Sequence, residues 1–196
     1  MSAVPLDPGK QLEAAARNIH PGEWAVDDTR PIATLLGSCV SVCLYDPKLR
    51  FGGANHFMLP IRTRSTDGEY DSLLRGDYAM EVLVNAMLDR GARKQRLVAK
   101  AFGGGNVVTS LRRSIGEGNI AFARAWLERE GIALSASDLG GLWARKIVFN
   151  PCNGDAYCRR LDSSQPVSTQ VAEAETAYED TLVNARKSSA KAIELF

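Results

Sequence analysis

Three short apolar runs follow one another early in this chain with no helical pattern between them, and that order constrains the fold more than any other feature. Residues 32–36, 40–45 and 54–59 each read as a strand, the second on its alternating valines. A helix is expected over 77–90, with Asp77 placed to cap its start and Gly91 to stop it. A buried strand over 96–102 runs into Gly103-Gly104-Gly105. A second helix, 119–130, lies between a cap residue, Asn119, and Gly131. Three further strands are expected near 133–137, 143–149 and 156–161, the last two flanking Asn153-Gly154, a strong hairpin signal. Strands that outnumber helices and run consecutively favour an α+β layered fold over a doubly wound parallel sheet.

The hairpin around Asp46-Pro47 brings two reactive side chains into question. Asp suits the first position of a type I turn and Pro the second. A four-residue loop over 46–49 places Tyr45 opposite Arg50. Opposed residue numbers in an antiparallel pair keep a constant sum, and carrying that sum back along the ladder sets Cys39 opposite His56. Directly opposed residues share a sheet face, with Cβ atoms ~4.5–5.5 Å apart. A slip of one residue would send His56 to the other face.

A paired thiol and imidazole form the minimum set for thiol catalysis: the thiolate attacks, and the imidazole protonates the leaving group. Glycine at position 37 allows a sharp turn just before the cysteine, so backbone amides near Ser38 and Cys39 are candidate oxyanion donors. A second reading of the same residues is a small buried hydrophobe and an ordinary turn.

Composition narrows the remaining classes. The 196 residues suit one domain with a real core, and 24 Lys plus Arg balance 23 Asp plus Glu, leaving no net field to recruit nucleic acid or an anionic membrane. No stretch approaches the ~18 apolar residues of a membrane helix. The N-terminus lacks the basic and apolar regions of a signal peptide, so a cytoplasmic protein with reduced thiols is expected. Cys39, Cys43, Cys152 and Cys158 match no zinc or redox spacing, and with only His20 and His56 as imidazoles a metal site is not expected. Cys39 and Cys43 on one strand would lie ~13 Å apart, too far for a disulfide. His20, before Pro21, is expected at the surface. Residues 1–20 form an N-terminal extension with a short Ala-rich helical stretch over 12–17, 21–161 the compact domain, and 162–196 a polar C-terminal tail. In that tail Val171, Ala174, Tyr178, Leu182 and Ala185 make a weak helical stripe.

The segments Thr34-Leu35-Leu36-Gly37-Ser38-Cys39-Val40 and Gly52-Gly53-Ala54-Asn55-His56-Phe57-Met58-Leu59-Pro60 closely resemble the CheD family, chemoreceptor glutamine deamidases. The likeness continues through Lys100-Ala101-Phe102-Gly103-Gly104, Ile115-Gly116-Glu117-Gly118-Asn119 and Asp138-Leu139-Gly140-Gly141 ahead of Arg145-Lys146-Ile147. The resemblance implies a layered α/β sandwich with mostly antiparallel sheet, related to the catalytic domain of deamidating bacterial toxins. It implies a triad of Cys39, His56 and Thr34, the threonine orienting the imidazole, with Gly37, Ser38 and Asn55 as the oxyanion- and substrate-binding group. Relatives usually carry an Arg where this chain has Gly118.

The reaction implied is hydrolysis of a receptor glutamine side chain through a Cys39 thioester, with no cofactor; a thioester route would also cleave a glutamyl methyl ester. Expected partners are chemoreceptor cytoplasmic domains and, as in some members of the family, a CheC-type phosphatase. A regulatory docking protein without turnover is the alternative.

Overall fold

The computed structural model describes residues 8–59, 66–107, 109–162 and 166–191. Its elements are α1 (Pro8–Ala15), β1 (Arg17–Asn18), β2 (Trp24–Asp27), β3 (Ile32–Leu36), β4 (Val40–Asp46), β5 (Phe51–Asn55), α2 (Thr66–Asp89), β6 (Val98–Gly103), α3 (Thr109–Arg129), β7 (Ala133–Leu139), β8 (Ala144–Phe149), β9 (Ala156–Leu161) and α4 (Pro166–Lys191). They form two sheets, one ordered β1-β3-β8-β9 and the other β2-β5-β4-β6-β7. Among the described strands only β1–β3 and β6–β7 pair in parallel. The α+β sandwich with mostly antiparallel sheet is the observed architecture.

Alternation along β4 explains the layering. Val40, Val42 and Leu44 pack with Met80, Leu83, Val84 and Met87 of α2 and with Phe122, Ala123, Trp126 and Leu127 of α3. Both helical sets fall at i, i+3, i+4 spacing, the apolar stripe of a helix laid on a sheet. Cys39 and Cys43 point the other way, into a core between the sheets with Leu36, Phe102, Ile147 and Phe149. The short connection from β3 to β4 therefore carries the chain from one sheet to the other, and Gly37, Ser38 and Cys39 are that connection.

The hairpin register differs from expectation by two residues. Asp46 pairs with Phe51 and Cys43 with Ala54, so the loop is 47–50 rather than 46–49. Asp46 stays in the strand while its Oδ1 accepts the Lys48 and Leu49 amides, and its carboxylate is gripped by Arg96. Arg50 closes the loop at φ 55. A shift of two preserves side-chain parity, so Cys39 and His56 remain on one face as diagonal rather than direct neighbours.

Other boundaries are corrected as well. The third strand ends at Asn55, the pairing resuming only as a Val40–Phe57 bridge. Helix α2 begins at Thr66, so Asp77 caps nothing; it receives a hydrogen bond from Arg129 at 2.7 Å. Likewise α3 begins at Thr109 and Asn119 is buried within it. The N-terminal helix is Pro8–Ala15 rather than 12–17. Strands β1 and β2, of two and four residues, were too short to carry a periodic signal. The Asn153-Gly154 hairpin is present, with Gly154 at φ 77 and Asn150 N–H bonded to the Asp155 carbonyl. Of the other motif residues, Arg145 lies fully buried and donates to Asp138 at 2.8 Å, a structural ion pair.

Candidate active site

Three residues from three places converge where the sheets meet. Thr34 comes from β3 in one sheet, Cys39 from the crossing segment, and His56 from the residue after β5 in the other sheet. All are buried, with 5 %, 0 % and 2 % of their surface exposed. His56 is held at its backbone and at one ring nitrogen. Its backbone N–H donates to the Glu23 carbonyl and its carbonyl accepts from the Gly22 N–H. Its Nδ1 lies 2.8 Å from Thr34 Oγ1, and that hydroxyl donates to the Ile19 carbonyl at 2.8 Å.

A hydroxyl has one proton to give. Since Thr34 spends it on Ile19, it accepts from His56, which assigns the proton to Nδ1 and leaves the Nε2 lone pair open. Nε2 is buried without a hydrogen-bond partner, the nitrogen available to the thiol. Burial, only partly offset by the negative charge of Glu175, lowers the His56 pKa to about 4. The ring is therefore neutral near pH 7, the form a general base requires.

The crossing segment presents its amides inward because its carbonyls are all tied elsewhere. The Gly37 carbonyl accepts from Gly105 N–H at 2.6 Å, the Cys39 carbonyl from Gly104 N–H at 2.7 Å, and the Ser38 carbonyl from Asn119 Nδ2 at 2.8 Å. Glycine at 103 is what lets the two backbones approach: at φ 108, a Cβ there would sit 2.1 Å from the Cys39 carbonyl oxygen. Three successive N–H groups are thereby aimed at one point, an anion-binding nest built before any ligand arrives.

That nest holds a carboxylate from α4. Oε1 of Glu175 accepts from Gly37 N–H at 2.8 Å and Cys39 N–H at 3.0 Å. Oε2 accepts from Ser38 N–H at 2.8 Å and Ser38 Oγ at 2.7 Å. The Cys39 sulfur, a His56 nitrogen and a Glu175 oxygen all lie within 4.8 Å of one another. This is the single grouping among the described residues compact enough for a metal ion. Three amide dipoles turn their positive ends to the carboxylate, and each of its oxygens already has two donors, so the arrangement suits a hydrogen-bonded anion rather than a cation.

Sequence reasoning placed Gly37 and Ser38 here, and the structure puts both at the nest. It does not bring Asn55 there: its carboxamide accepts from Val42 N–H at 2.9 Å and donates to the Ala79 carbonyl at 3.0 Å, joining β4 to α2. Two residues were missed. Asn119 was read as a cap, though its position among the buried residues of α3 marks a polar group aimed inward. Glu175 sits four residues after buried Val171 and seven before buried Leu182, a carboxylate in a helix's apolar stripe, and that spacing was the available signal.

Two of the remaining thiols are held in the protonated form near pH 7. No disulfide links the four cysteines. Burial raises the Cys43 pKa to about 12; burial, then the nearby Asp138 carboxylate, raises that of Cys158 to about 11. His20 is exposed, and a Cβ at Gly118 would meet nothing within 4 Å. No helix among the described residues is long and apolar enough to cross a membrane.

Known proteins place this geometry in a family. The family model "CheD chemotactic sensory transduction" matches residues 58–160. A Dechloromonas aromatica protein named "Probable chemoreceptor glutamine deamidase CheD 2" is 53% identical over 96% of this chain and 97% of its own length. A Burkholderia thailandensis protein of the same name is 44% identical over 95% of this chain and 96% of its own. A Xanthomonas campestris relative, "Probable chemoreceptor glutamine deamidase CheD", is 39% identical over 95% and 91%. With a matching family model and relatives aligned over nearly their whole length, this chain belongs to the CheD family.

Proposed function

We propose that this protein deamidates glutamine side chains of chemoreceptors by acyl transfer through Cys39. The observation that carries the reading is the convergence of the Gly37, Ser38 and Cys39 amides beside a buried thiol and an imidazole whose tautomer Thr34 sets. The substrate class comes from the names of the relatives.

In this mechanism His56 Nε2 takes the thiol proton as sulfur attacks the amide carbon. The developing oxyanion occupies the nest, where preorganised donors stabilise it without reorientation. The protonated ring then gives its proton to the departing amine, releasing ammonia. Water, activated by the neutral ring, hydrolyses the thioester, yielding glutamate and restoring the thiol. Thr34 positions the ring. Chemoreceptor cytoplasmic domains are the proposed partners.

The test is ammonia release and glutamate formation from a receptor cytoplasmic fragment, with wild type and Cys39→Ala. Activity in the wild type that drops to background in the variant is expected. Activity surviving Cys39→Ala would overturn the mechanism.

A further inference from the structure

The carboxylate in the nest is not an arbitrary anion. It is a glutamate side chain on a helix, the chemical group that hydrolysis of a glutamine on a helix leaves behind. It is 2 % exposed, its four hydrogen bonds come only from the crossing segment, and none of the ion pairs among the described residues involves it. Its negative charge is therefore met by the donors that would meet an oxyanion.

The surroundings of α4 match a bound ligand better than a core helix. Val171, Glu175, Tyr178 and Leu182 form its inner face, while Glu173, Ala174, Ala177 and Asp180 are exposed. Cavities of about 400 and 360 Å³ flank it, and His56 lines both. One runs along Ile19, Thr34 and Gln170, the other past Trp24, Tyr78 and Tyr178. The helix thus lies in a groove wider than itself, with the catalytic histidine at the groove floor.

We propose that α4 is a tethered product mimic: it occupies the substrate groove with Glu175 where the product carboxylate of a helical substrate lies, and must leave before a receptor helix can bind. The inference rests on the deamidase reading and adds to it a built-in inhibitor.

The deciding variant is Glu175→Gln in the full chain. It converts the mimic into a substrate: Cys39 sulfur bonds to the side-chain carbonyl carbon, the carbon–nitrogen bond breaks, and ammonia leaves with the proton carried by His56. Water then cleaves the thioester, returning Glu175 and the thiol. Peptide mass spectrometry of purified Glu175→Gln is expected to find glutamate at 175, and glutamine retained when Cys39→Ala is combined with it. Glutamine retained in the single variant, with the wild type active on a receptor fragment, overturns the product-mimic proposal and leaves the deamidase standing. Glutamine retained with no receptor activity in the wild type overturns both.

A second measurement addresses inhibition: Glu175→Ala is expected to raise kcat/KM on the receptor fragment and quicken alkylation of Cys39 by iodoacetamide, each by about tenfold or more, the effect of ~1.4 kcal/mol less hold on the closed state. Rates equal to or below the wild type in both assays would show that Glu175 braces the loop rather than blocking it.

Discussion

A threonine hydroxyl carries one proton, and at position 34 the direction of that proton decides which nitrogen of His56 can act. Thr34→Val keeps the shape and removes both of the hydroxyl's hydrogen bonds, to the Ile19 carbonyl and to His56 Nδ1. Its kcat on receptor fragments is expected to fall roughly 10–100-fold with KM little changed, while Thr34→Ser restores most of the loss. Equal kcat in the valine variant would remove Thr34 from the mechanism. The buried ring also ties stability to pH. Its folded pKa of about 4 lies below the unfolded 6.5, so between those values the unfolded chain binds the extra proton. Stability from this site is thus present above pH 6.5 and is lost as pH falls toward 4, by roughly 3 kcal/mol over the full window. Urea unfolding at pH 7 and pH 5 is expected to show a steeper loss for wild type than for His56→Gln, and parallel losses would refute the assignment. The pairing of Cys39 with His56 was legible because side-chain parity tolerates an error of two in the hairpin register. Glu175 was not, because a carboxylate in a weakly apolar helix looks like solvent-facing charge until the loop it answers is seen.

At the scale of elements, the site depends on backbone groups held by segments distant in sequence. Asn119 of α3 ties the Ser38 carbonyl to the Leu59 N–H, the latter at 2.7 Å, and so couples the crossing segment to the chain after His56. Asn119→Ala leaves the buried Ser38 carbonyl and the part-buried Leu59 N–H unpaired and is expected to cost about 1–3 kcal/mol by chemical denaturation. Asn119→Asp keeps an acceptor for Leu59 but loses the donor to Ser38. It is expected to lower kcat at a smaller cost in stability than Asn119→Ala, since the Ser38–Cys39 peptide can then rotate the Cys39 N–H out of the nest. An aspartate variant with wild-type kcat would show that the nest holds its aim without this bond. The strands around the site followed from alternation, but helix starts did not. Asp77 and Asn119 have the chemistry of caps, and tertiary contacts use the same polar atoms mid-helix for an ion pair and for a buried bridge.

For the molecule as a whole, the sandwich leaves the Cys39 thiol wholly buried, so the chemistry proposed for it requires an opening, and under the product-mimic proposal α4 is the part that opens. Cys39 lies under α4, held by one carboxylate and a narrow apolar face, whereas Cys43 lies in the middle of β4, paired on both sides by β5 and β6. Releasing α4 breaks no strand pairing, and releasing β4 means unfolding the sheet. Segments with few buried apolar contacts open at free energies well below the global value. Alkylation of the native wild type across low urea concentrations separates the two. Cys39 is expected to label with a shallow dependence on urea, well under the global m-value, while Cys43 labels only with the full slope of unfolding. A common steep slope for both thiols would mean that α4 is part of the cooperative core, and that a substrate helix has to enter by some route other than its displacement.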